Sequence, residues 1–200
     1  MPLGTHKATL FGVAGVSTGG DVVLLSTQTA SGSASITFSS GIDSTYGEYI
    51  FKFYNINVGT DQANFHFQVN ATDDPGGGYD TSTITSTRFT AYHSEAGDAT
   101  SLAYNAGSDQ ANGTAFQQIG GGLGNGSDES LAGELHLFNP ASTTYVKHFY
   151  GRDINIFYND YAIAGYIAGY INDTTAIDDI QFKVSTGVFD GTIKMWGVKN

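Results

Sequence analysis

The chain has 200 residues, only 14% of them charged, and a formal net charge of −11 from 8 Lys and Arg against 19 Asp and Glu. That balance excludes a nucleic-acid groove, which needs a basic stripe to displace counterions, and disfavours an anionic membrane surface. The absence of cysteine excludes disulfides, thiolate metal sites and cysteine nucleophiles, while 40% hydrophobic residues are enough for a packed core.

Residues 1–20 are glycine-rich around Leu10 and Phe11 and read as an arm ordered by contact with a partner. Met1 to Lys7 lack the basic start and apolar run of a secretion signal. No apolar stretch reaches the roughly 20 residues that span a bilayer. Synthesis in a cytoplasm, without membrane insertion, is expected.

Short strands are predicted at 21–25 and 34–38, the second with Ala34, Ile36 and Phe38 facing inward. Residues 49–56 are apolar on both faces, as for a central strand covered on both sides. Asn64 to Asn70 alternates cleanly. Phe65, Phe67 and Val69 point one way, and Asn64, His66, Gln68 and Asn70 the other. Asp73 to Gly78 reads as a turn, and Thr83 to His93 as a long strand rich in β-branched and aromatic residues.

Residues 94–131 are looser, with the glycine run at 120–126 expected as a flexible exposed loop. Leu135 to Phe138 and Tyr145 to Tyr150 read as strands joined through Asn139 to Ser142. Ala162 to Ile171 reads as a strand too, because Gly165 and Gly169 would each cost a helix about 1 kcal/mol. Ile180 to Val184 and Thr192 to Val198 complete the set, with Asp190-Gly191 expected as a tight hairpin turn between them.

Roughly ten strands without a convincing amphipathic helix imply a two-layer sandwich or a barrel. The fold expected is an all-β antiparallel sandwich, jelly-roll-like, over residues 21–200 behind a glycine-rich arm at 1–20.

Motifs with chemistry are weak. Gly15-Val16-Ser17-Thr18-Gly19 matches a hydrolase nucleophile elbow, but no helix follows to present the serine. The glycine run at 120–126 lacks the Lys-Ser/Thr ending of a phosphate loop. The histidines His6, His66, His93, His136 and His148 show no metal-ligand spacing. Asp73, Asp74 and Asp80, with Asp173, Asp178 and Asp179, sit in turns where calcium could find oxygens, though solvated turn carboxylates explain them better. No catalytic, cofactor-binding or metal-binding residue is assigned, and an enzyme is not expected. Aromatics say more. The 12 Tyr and 13 Phe exceed what a core needs, and tyrosine suits both interfaces and sugar stacking. Candidate surface contacts are Leu10, Phe11, Tyr46, Tyr79, Tyr104, Tyr158 and Tyr161.

Several phrases carry a resemblance. They are Ser44 to Phe53, Phe89 to Ala96, Gly133 to Pro140, Val146 to Phe149, Ile177 to Phe182 and Gly191 to Gly197. Together they resemble a family of virion structural proteins of tailed bacteriophages, commonly from marine and cyanobacterial phages. The likeness covers roughly residues 40–198 and has no catalytic motif to transfer. It implies a subunit on the virion exterior, a capsid decoration (cement) or head-fibre protein. Such a subunit would assemble as a trimer with other virion proteins. The alternative it leaves open is a tail-fibre or baseplate module that binds host-surface glycans.

Overall fold

Alternation decides which side chains meet in the centre. The computed structural model describes residues 21–73, 79 and 82–199; the arm, with Leu10, Phe11 and the serine motif at 15–19, lies outside them. Twelve antiparallel strands form among these residues, and no helix. They are β1 (Val22–Ser33), β2 (Ser35–Phe38), β3 (Glu48–Val58), β4 (Ala63–Ala71), β5 (Ile84–Ser94) and β6 (Thr100–Tyr104). The remainder are β7 (Gln117–Leu123), β8 (Leu131–Phe138), β9 (Lys147–Phe157), β10 (Tyr161–Ile171), β11 (Ile177–Val184) and β12 (Phe189–Val198).

The pairing order resolves into two layers. One runs β1-β12-β3-β8 and the other β2-β11-β4-β7, so the chain crosses between sheets at each step of the jelly roll except β4 to β7, in two Greek keys. This is a jelly roll. Two hairpins are inserted into it, β5-β6 between β4 and β7, and β9-β10 between β8 and β11. They continue the first sheet as β8-β9-β10-β5-β6, making it eight strands wide against four. The added strands overhang β7, the last strand of the smaller sheet, which pairs with the larger one among the described residues through a single bridge, Leu123 to Phe157.

Phe51 and Phe53 of β3, Phe65 and Phe67 of β4, Phe38 of β2 and Phe182 of β11 fill the space between the layers, all buried. Apolar area removed from water on this scale is the main stabilising term.

The structure corrects several expectations. β3 is central but not covered on both sides, since Ile50, Lys52 and Tyr54 face outward and Tyr54 is exposed. Ala34 is exposed, while Ile36 and Phe38 point in as expected. The glycine run is a loop only in its second half, at 124–126. Gly120 to Leu123 end β7, and Gly120, Leu123 and Gly124 are buried. Gly122 has φ of 61°, and a Cβ there would lie 2.0 Å from the Phe157 ring, so glycine lets the ring close over the strand. Asp190-Gly191 is no hairpin either. It sits inside β12 at a bulge, and the turn is at 185–188. β11 and β12 do not pair with each other, because each belongs to a different sheet.

Candidate functional site

Two surfaces stand out, on opposite sides of the widened sheet. The first is its outer face. Even-numbered residues of β9 and β10 point out, so Tyr150, Ile154 and Tyr166 join Phe89 of β5 and Leu102 and Tyr104 of β6. Ile154 is 58% exposed and Leu102 72%. Ala162, Ala164 and Ala168 keep the middle strand flat. Phe89 stacks on Tyr166 at 5.0 Å, and Tyr150 stacks on His136 at 4.4 Å.

The charges on this face balance one another. Glu134 accepts a hydrogen bond from Arg152 Nε at 2.9 Å and lies 3.7 Å from Lys52 Nζ, while Glu48 meets His136 Nδ1 at 2.5 Å. Burial pushes the Glu134 carboxyl up, but Arg152, His136 and Lys52 outweigh it and hold the group below its usual range.

The second surface is a cleft of about 650 Å³ under the overhang, between the inner face of β5 and β10 and the edge of β7. Its aromatic wall is continuous. Tyr92 stacks on Tyr161 at 5.3 Å, Tyr161 lies 6.2 Å from Phe157, and Phe157 lies 4.5 Å from Tyr158. Gln62, Asn64, Asn105, Ser108 and Gln118 provide the facing wall. Arg88 reaches the floor, where its guanidinium is 3.7 Å from the buried Asp153 carboxylate and its Nε donates to the Ile119 carbonyl at 3.2 Å.

Of the tyrosines singled out from the sequence, Tyr158 and Tyr161 meet in this cleft and Tyr104 lies on the outer face, donating its hydroxyl to Asp109. Tyr46 and Tyr79 are only partly exposed. Tyr46 packs edge-on against Tyr49 at 5.8 Å, and Tyr79 lies 6.3 Å from Phe116. Sequence reading missed Tyr92 and Gln118, which look like ordinary strand residues until the overhang places them in a cleft.

The aspartate clusters do meet, but around a lysine. Thr175 Oγ1 donates to Asp73 and its backbone N–H to Asp173, and Lys147 Nζ donates to the carbonyls of Asp173 and Thr175. Asp74 and Asp80 lie outside the described residues. Among the described residues no group of three or more His, Asp or Glu could hold a metal.

His66 on β4 is pushed down to about 4, first by burial and then by Lys183 and Arg88, and its Nδ1 has no partner among the described residues. Unfolded histidine titrates near 6.5, so between about pH 6.5 and 4 only the unfolded chain holds this proton. His66 therefore lowers stability as pH falls through that window. His66→Asn should gain stability relative to wild type between pH 6.5 and 4. Urea midpoints at the two pH values check this, and a pH-independent difference would contradict it.

No known family model matches the chain, and no curated protein matches it. What the fold defines is a class, an all-β jelly roll with a widened sheet. No helix among the described residues is long and apolar enough to cross a membrane.

Proposed function

We propose that this chain is a structural subunit on the exterior of a tailed-phage virion, a capsid decoration or head-fibre protein. It acts by assembly with further copies of itself, as a trimer, and with other virion proteins, not by catalysis. The observation that carries the reading is the outer face of the widened sheet. A protein with net charge −11 repels its own copies over most of its surface, but this face is apolar and its charges are paired, so copies meet there without that penalty. Burying its aromatic and aliphatic area at about 25 cal/mol per Å² drives the association. The family resemblance supplies the virion setting.

Light scattering should give the purified protein a mass that is a multiple of 21.1 kDa. Ile154→Glu puts an uncompensated carboxylate in the middle of the face at an already exposed position and should return it to monomer. A wild-type monomer, or an oligomer that survives this change, would remove the face from assembly. Antibody against the domain should label intact virions, and unlabelled particles would sink the virion setting.

One observation favours the second reading, a tail-fibre or baseplate module that binds host glycans: the aromatic cleft under the overhang.

A further inference from the structure

We infer that the cleft under the overhanging strands is a binding site for a neutral saccharide. The inference deepens the glycan-binding reading and does not depend on assembly through the outer face. The cleft exists because β10 and β5 extend the larger sheet beyond its bridge to β7, so their inner face meets the smaller sheet only at the edge of β7. Its about 650 Å³ falls within the range of small-ligand clefts.

The chemistry of the two walls selects the ligand. Tyr92, Tyr161, Phe157 and Tyr158 offer adjoining ring faces, which suit the apolar C–H face of a pyranose. Across from them, Gln118 and Asn105 make no side-chain hydrogen bonds among the described residues, and the hydroxyls of Tyr92, Tyr158 and Tyr161 make none either. Gln117, one residue from Gln118 but turned inward, is fully engaged with Ser86, Ser108 and Gln110. Asn64 Oδ1 already accepts from the Gly122 N–H, which leaves Gln118 and Asn105 as the amides open to a ligand. Amides both donate and accept, which matches hydroxyls that do the same.

Charge and polarity exclude the alternatives. Among the described residues no carboxylate lines the cleft, and the one cation there, Arg88, is held by Asp153, so an acidic sugar would find no free counter-charge. A proline-rich peptide also docks on aromatic grooves, but proline has no N–H to satisfy the acceptors on the polar wall.

The test is saturation-transfer NMR and calorimetry on the full chain, with gluco-, galacto- and manno-oligosaccharides and a polyproline peptide as probes. At least one neutral sugar should bind, with Tyr ring signals perturbed. Tyr158→Ala, at a 41% exposed position that spares the fold, should weaken binding about tenfold. Gln118→Ala should weaken it several-fold. The inference is overturned if no sugar binds, if both variants bind as wild type, or if the peptide binds in place of sugar. Labelling of host cells that survives both variants would keep a glycan-binding module but move its site elsewhere.

Discussion

Asp153→Ala should cost about 3–5 kcal/mol of folding stability, the usual result of stripping one partner from a buried ion pair. The Arg88 and Asp153 side chains are 2% and 1% exposed. Each has only a few polar neighbours. Asn155 donates to the carboxylate at 2.8 Å, and Arg88 relies on Ile119 and Asp153. Without Asp153 the guanidinium stays buried with no carboxyl oxygen to face, charged or neutral, and its desolvation is no longer offset. Replacing both, Arg88→Met with Asp153→Leu, should recover most of the loss, since apolar side chains of similar size need no solvation. Urea denaturation of the two variants measures this. A single variant within about 1 kcal/mol of wild type would show that water or relaxation already solvates the arginine.

The same pair gives a pH dependence. Burial raises the Asp153 carboxyl to about 6, and Arg88 and Asn155 pull it only part of the way back. The folded state thus holds the proton more tightly than the unfolded one. Stability from this group is fully present below about pH 4 and is lost as pH rises to about 6. His66 has the opposite sign over nearly the same window, so the wild type conceals both. Gly165 of β10 makes the pair possible, because a Cβ there would lie 2.2 Å from Asp153 Oδ1 and 2.8 Å from Arg88 Nη2.

Phe182→Ala should cost a similar about 3–5 kcal/mol, as large-to-small changes of a buried ring do. Phe182 of β11 sits among Phe38, Phe51, Phe53 and Phe65 at centroid distances of 6.3, 5.4, 5.3 and 6.0 Å. These rings come from both sheets, so removing the central one opens a cavity across the interface between layers. Phe182→Leu keeps most of the volume and should cost under about 1.5 kcal/mol. Thermal melts of the two variants discriminate. Equal shifts would mean that the ring geometry, rather than the filled volume, stabilises the cluster.

Local pattern carried much of the fold. Phe65, Phe67 and Val69 face the core because a strand has a period of two, whatever lies opposite. Ala162 to Ile171 reads as a strand because two interior glycines and the lack of a cap oppose a helix, even though isoleucines four apart fit either, and the structure has it as β10. Where the reading failed, a distant partner had overridden a local signal. Glycines usually mark loops, yet Gly120 to Gly122 are in β7, where Leu131 and the Phe157 ring press against the backbone. Asp-Gly usually marks a hairpin, yet here it bends one strand at a bulge.

Composition and alternation thus determined an all-β, cysteine-free sandwich, its inward phenylalanines and its surplus of tyrosine. Which tyrosines meet was decided by tertiary structure alone. Tyr92 and Tyr161 are 69 residues apart in the chain (161 − 92) and stack because β5 pairs with β10 outside the jelly roll. The cleft and the buried Arg88 follow from that one pairing, which also adds Phe89 to the outer face beside Tyr166. Strand order depends on the summed burial of whole layers, a quantity no local window of sequence contains.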